Sequence, residues 1–190
     1  MLHTARLRLR PFTDADADSL FALHNSTYVM RYWDSPPWNE QARAKRFIAM
    51  CRKMADEGTG ARVAIDRASD GAFVGWCGLT GWNPDYRSAS LGYCLDDAMW
   101  GHGFATETAH AVLQWAFDAL DLNRVQPRTR VRGTGARAAF VRAARPRSQG
   151  SGLTDPAAAT GSPQGNATVP RARALIRGTG GRGEELITGW

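Results

Sequence analysis

The sequence lacks any apolar run near the roughly 18–20 residues that a bilayer-spanning helix needs, so no membrane association is expected. Cysteine is scarce: Cys51, Cys77 and Cys94 form no Cys-x-x-Cys pair and are odd in number. That excludes a disulfide framework and a structural zinc site, and it points to a reducing, cytoplasmic setting. The four histidines have no ligand spacing, so no metal is expected. Nor is a secretory leader expected, because Met1 runs directly into alternating Leu and Arg.

Basic residues look abundant, with a net charge of +6 and a pI of about 9.8, but the excess is local. Residues 127–190 hold eleven arginines, no lysine and only three acids (Asp155, Glu184 and Glu185). Residues 1–126 carry 13 basic and 15 acidic side chains and are mildly acidic. In the last third Arg, Gly, Ala and Pro make up 38 of 64 residues, and Phe140 is the one aromatic before Trp190. With no amphipathic period, that segment reads as disordered. The sequence thus divides into a globular region at 1–126 and a tail at 127–190.

Within the first region the periodicity is clear. Residues 4–10 alternate as a half-buried strand, and Pro11 ends it. Thr13 to Asp16 offers capping residues for a helix whose apolar face is Ala17, Leu20, Phe21 and Leu23. An aromatic loop over 28–38 leads to a second helix over 39–57, stopped by Gly58 and Gly60. Strands follow at 62–66, 73–79 and 88–95, the first two joined by a turn at Ser69-Asp70-Gly71. The strongest helical pattern starts near Phe104, with Ala105, Ala109, Val112, Leu113, Ala116, Phe117 and Leu120 on one face. A further strand opens at 122–126.

The segment with chemical promise joins the 88–95 strand to that helix. Gly101 and Gly103 stand where the helix begins, and a helix start offers unpaired N–H groups and a positive dipole end to a phosphate. Glycine pairs at tight turns are common, so this spacing alone does not separate phosphate binding from a plain strand-to-helix turn. Asp85, Asp96 and Asp97 qualify as proton acceptors only by position, and each also suits a solvated turn or cap. No catalytic base is assigned. Tyr32, Trp33, Trp38 and Trp82 are candidates to wall an acceptor pocket or to pack the core edge, with Trp33 foremost.

Leu91-Gly92-Tyr93-Cys94-Leu95-Asp96 followed by Trp100-Gly101-His102-Gly103-Phe104-Ala105-Thr106-Glu107 resembles the acetyl-CoA signature of GNAT N-acetyltransferases. It is most similar to the branch containing the RimJ/RimL-type ribosomal-protein N-terminal acetyltransferases. Residues 4–10, Val29 to Trp33, and Val74-Gly75 before Cys77-Gly78 agree in order and spacing, so the resemblance covers 3–126. It implies an α/β fold: a mixed, mostly antiparallel sheet with helices on both faces. It implies acetyl-CoA as cosubstrate, held by the backbone of Tyr93, Cys94 and Leu95 along the pantetheine arm. The diphosphate would rest on Trp100, Gly101, His102, Gly103, Phe104, Ala105 and Thr106. The acceptor would be a primary amine on a small molecule or a protein N-terminus, with Trp33 beside it. Cys94 reads as a strand residue rather than a nucleophile. One departure is Ala98, where the superfamily often has Gln or Arg.

The family's C-terminal motifs are not legible after Gln126. One account is a reading-frame shift: read back one base, the codons for Arg132 to Ala138 could encode Arg-Asn-x-Ser-Ala-Arg, which resembles an absent motif. On that account the sequence as written binds CoA weakly and folds poorly. Two other functions stay open: a catalytically impaired GNAT-like CoA-binding module, and nucleic-acid binding through the Arg-rich tail. The tail's lack of lysine and of stacking aromatics weakens the last.

Overall fold

The computed structural model describes residues 1–128; the expectations for the Arg-rich tail lie outside the described residues, apart from Pro127 and Arg128. Six strands form one sheet in sequential order: β1 (Leu2–His3), β2 (Leu7–Arg10), β3 (Gly60–Arg67), β4 (Phe73–Asn83), β5 (Ser88–Leu95) and β6 (Arg124–Pro127). Each neighbouring pair is antiparallel except β5 and β6, which run parallel. The helices are α1 (Ala17–Asn25), the single turn α2 (Thr27–Met30), α3 (Ala42–Glu57) and α4 (Phe104–Asp118).

The two-residue period of the strands sorts side chains to opposite faces. Leu7, Leu9, Val63, Ile65, Val74, Cys77, Leu79, Leu91 and Leu95 meet α4, which inserts Phe104, Ala109, Val112, Leu113 and Ala116. Ala64, Trp76 and Cys94 take the other face under α1 and α3, which supply Leu20, Leu23, Ala44, Ile48 and Cys51. The mixed sheet covered on both faces is the architecture that the sequence implies. In α3 the buried positions Ala44, Ile48, Cys51 and Ala55 recur at helical spacing, while Ala42 is exposed. Gly58 ends the helix in the left-handed region at φ 69°, as a C-terminal glycine should.

Two local departures have physical causes. The expected strand over residues 4–10 divides, because Thr4 turns back on Leu7: the Thr4 N–H donates to the Leu7 carbonyl at 2.9 Å, and the Leu7 N–H donates to Thr4 Oγ1 at 3.0 Å. The aromatic loop begins with the turn α2, whose Val29 N–H is capped by the Ser26 hydroxyl at 3.3 Å. One buried ion network joins the layers. Arg10 donates to Asp16 at 2.7 Å and to Asp66 at 2.6 Å, linking β2 to the approach to α1 and to β3.

Candidate acetyl-donor site

In an antiparallel ladder, alternate residues turn their N–H and C=O groups to opposite edges. The Asp96 N–H donates to the Val74 carbonyl at 3.0 Å, in step with the Trp76–Cys94 and Gly78–Gly92 pairs. Gly92 and Cys94 therefore bond toward β4, whereas Leu91, Tyr93 and Leu95 bond toward β6. The Arg128 N–H donating to the Leu91 carbonyl at 2.7 Å agrees with this. β6 pairs only with residues 88–91 of β5. Beyond them, among the described residues, the Tyr93 backbone and the Leu95 N–H have no partner on that edge. The Leu95 carbonyl accepts a bond from Trp100 Nε1 at 3.0 Å.

The chain then passes through a 3-10 turn at residues 97–99, capped by the Asp96 carboxylate, which accepts from the Ala98 N–H at 2.9 Å. That contact gives Asp96 a capping role; Asp85 and Asp97 are exposed. Gly101 and Gly103 both lie in the left-handed region at φ 80°, a conformation that side-chain-bearing residues avoid. Gly103 is the N-cap of α4, and the first bond to it runs from the Glu107 N–H to the Gly103 carbonyl at 3.1 Å. The N–H groups of Phe104, Ala105 and Thr106 precede that bond and have no acceptor among the described residues, as at any helix start. Backbone donors at the positive end of a 15-residue helix suit an anion.

The residues singled out in sequence fall around this path. Gly101, His102, Gly103 and Thr106 are exposed, Ala105 and Trp100 are half-buried, and Phe104 is buried. The His102 ring stacks on Phe104 at 5.7 Å. Tyr93 and Leu95 point to the α4 face. Cys94 points to the α1–α3 face, where burial pushes its thiol up to about 12; it is no nucleophile at neutral pH. Trp33 packs at the edge of the same cluster, its ring 5.5 Å from Trp76. Trp38 is buried, Trp82 half-buried against the α4-side core, and Tyr32 is 37% exposed and stands 5.8 Å from Trp100.

Two features escaped the sequence reading. Glu107, in sequence only the last residue of the motif that starts at Trp100, accepts from Thr4 Oγ1 at 2.5 Å and from the Arg6 N–H at 3.0 Å, and it pairs with the Arg6 guanidinium at 2.6 Å. Burial pushes its carboxyl up, but these bonds and the charge of Arg6 outweigh that and hold it below the ordinary range. It is an anchored anion, not a free base. The second feature is His24. It is buried, stacked on Trp38 at 4.0 Å, and accepts from Trp76 Nε1 at 3.0 Å through Nε2, while its Nδ1 has no partner among the described residues.

Burial, with Arg62 and Arg43 nearby, lowers His24 to about 4 from an ordinary 6.5. The unfolded chain therefore binds the proton first, and stability is lost as the pH falls from about 6.5 toward 4, by about 3 kcal/mol in total. Asp16 and Glu107, both held below their ordinary 3.8 and 4.5, lose their own contributions only below those values. Urea melts between pH 7 and 4.5 isolate the histidine. His24→Gln, which still accepts from Trp76 and does not titrate, flattens the slope; an equally steep slope in that variant would refute the assignment.

Comparison with known proteins identifies the family. Residues 6–143 match the family model described as the acetyltransferase (GNAT) domain. The chain is 31% identical over 125 residues to the uncharacterized N-acetyltransferase YoaA of Bacillus subtilis (strain 168), covering 66% of this chain and 71% of that one. In fold it is similar to RimL, a ribosomal L7/L12 alpha-N-protein acetyltransferase solved with CoA (TM-score 0.67, 19% identity, 74% of this chain and 80% of that one). It is also similar to spermidine N-acetyltransferase from Vibrio cholerae, solved with CoA and spermine (TM-score 0.64, 20% identity, 74% and 81% covered). This chain belongs to the GNAT family of acetyltransferases.

Proposed function

We propose that the chain transfers acetyl from acetyl-CoA to a primary amine, using the β5 edge and the turn into α4 as its donor site. The observation that carries this is continuity. The Tyr93 backbone and the Leu95 N–H, without a partner among the described residues, lead within a few residues to the backbone donors of Phe104, Ala105 and Thr106 at the start of α4. An extended pantetheine arm would add to the sheet as a strand, and its diphosphate would reach the helix start. Cys94, expected from the resemblance to hold the arm too, spends its N–H and C=O on β4 and offers that edge no backbone group, while Trp100 fixes the bend by its bond to the Leu95 carbonyl.

In this reading the amine attacks the thioester carbonyl in its neutral form. The N–C bond forms, the C–S bond breaks, and the sulfur leaves as a thiolate that takes up one proton from solvent, matching the one that the amine nitrogen gives up. The Leu95 N–H faces the arm's edge and can donate to the developing oxyanion. The amine's proton passes to a carboxylate or to water; no residue is assigned that role. Trp33 sits next to Cys94 on the face away from α4 and would wall the acceptor. The two solved relatives act, by their names, on a protein N-terminus and on spermidine, and both amines fit the class proposed here. The reading also assigns donor binding to residues 1–126 and none to the Arg-rich segment 127–190.

The test is turnover. The full chain is incubated with acetyl-CoA and a panel of polyamines and N-terminal peptides, with thiol release and acetylated product measured together. Equal amounts of both are expected for one class of amine. CoA binding without product on any amine would replace the enzyme by a CoA-binding module.

A further inference from the structure

Arg6 lies far from the donor turn in sequence, yet most of its side-chain contacts fall on it. Its Nη1 donates to the His102 carbonyl at 3.0 Å. Its Nε and Nη2 meet the Glu107 carboxylate at 2.8 and 2.6 Å, and its guanidinium lies 4.8 Å above the Phe104 ring. Glu107 is held in place in turn by Thr4 Oγ1 and by the Arg6 N–H. The connection between β1 and β2 is thereby tied to the first turn of α4.

The bond to His102 has a directional consequence. In a planar trans peptide the carbonyl and the following N–H point opposite ways. Fixing the His102 carbonyl on Arg6 therefore aims the Gly103 N–H away from Arg6. Glycine on either side adopts both backbone hands at little cost, so this peptide has no intrinsic reason to keep one orientation. A flip would present a carbonyl, not an N–H, to an incoming anion.

We propose that Arg6 is a positioning residue for the donor: it straps the His102 carbonyl to Glu107 and so keeps the turn's N–H groups aimed at the diphosphate of acetyl-CoA. The inference rests on the donor site proposed above. It gives Glu107 the role of anchor, and it makes the N-terminal hairpin part of that site.

The test compares the full chain with Arg6→Gln and Arg6→Lys, following CoA and pantetheine binding by tryptophan fluorescence, with far-UV circular dichroism as a check on folding. Loss of a charge-assisted strap weakens CoA binding by about tenfold and leaves pantetheine, which has no diphosphate, unchanged. Lysine keeps the charge but cannot span both partners, so Arg6→Lys is expected to fall close to Arg6→Gln. Wild-type affinity for CoA in either variant, or equal losses for CoA and pantetheine, would overturn the strap and leave the donor site standing. If the wild-type chain bound no CoA, the donor site and the strap would fall together.

Discussion

Replacing Gly103 with valine weakens acetyl-CoA binding by about 30-fold while the sheet stays folded. Gly103 sits at φ 80°, where a β-branched residue pays about 2 kcal/mol of backbone strain, and each 1.4 kcal/mol is tenfold in affinity. The turn can relieve that strain only by leaving the left-handed region, which carries the 101–106 donors out of line. A side chain at this position also meets Arg6, whose Nη2 lies 3.5 Å from the new Cβ. Gly103→Asn should fall between glycine and valine, because asparagine tolerates this conformation better. Calorimetric titration of each variant checks the order. Equal affinity in all three would show that the turn's backbone does not hold the ligand.

The largest stability loss is expected at Gly75, one of the positions that carried the family resemblance. A Cβ there would lie 2.2 Å from the Cys94 carbonyl oxygen and 2.8 Å from the Leu95 Cα, at φ +147°. Both neighbours are backbone, so no side chain can swing aside. The strands must separate at Cys94 and Leu95. Combining backbone strain with overpacking, Gly75→Ala costs about 3 kcal/mol or more. Gly81→Ala is the control, since Gly81 also has positive φ but no atom of the described residues lies within 4 Å of its Cβ; its cost is about 1–2 kcal/mol from the backbone alone. Urea denaturation separates the two. A Gly75→Ala midpoint matching that of Gly81→Ala would contradict the close approach of β4 and β5.

The sequence made the sheet, the helices and the turn into α4 legible for separable reasons. Strand alternation, the glycine at the end of α3 and the single apolar face of α4 are local patterns that depend on nothing distant. Gly101 and Gly103 marked the turn because its backbone needs them. The Arg6–Glu107 pair was not legible: its members are 101 residues apart, and each alone looks like an exposed charge. His24 was passed over for a similar reason, as one histidine on a helix gives no sign of the Trp76 indole that it accepts from. The break of the first strand at Thr4 depended on Glu107 as well. A proton acceptor could not be read because Asp85, Asp96 and Asp97 suit turns equally well, and in the structure Asp96 does cap one. The frame-shift reading of the Arg-rich segment rests on codons, and sequencing the coding DNA across codons 120–190 decides it.

Acetyl-CoA is proposed to lie along the β5 edge at Tyr93 and Leu95, whose Tyr93 backbone and Leu95 N–H have no partner among the described residues, and on the turn into α4. The most direct measurement is an amide-resolved nuclear magnetic resonance titration of the full chain with CoA. The account predicts saturable shifts that are largest at the N–H groups of Tyr93, Leu95 and residues 101–106. Saturable shifts centred elsewhere, or none at millimolar CoA, would contradict it.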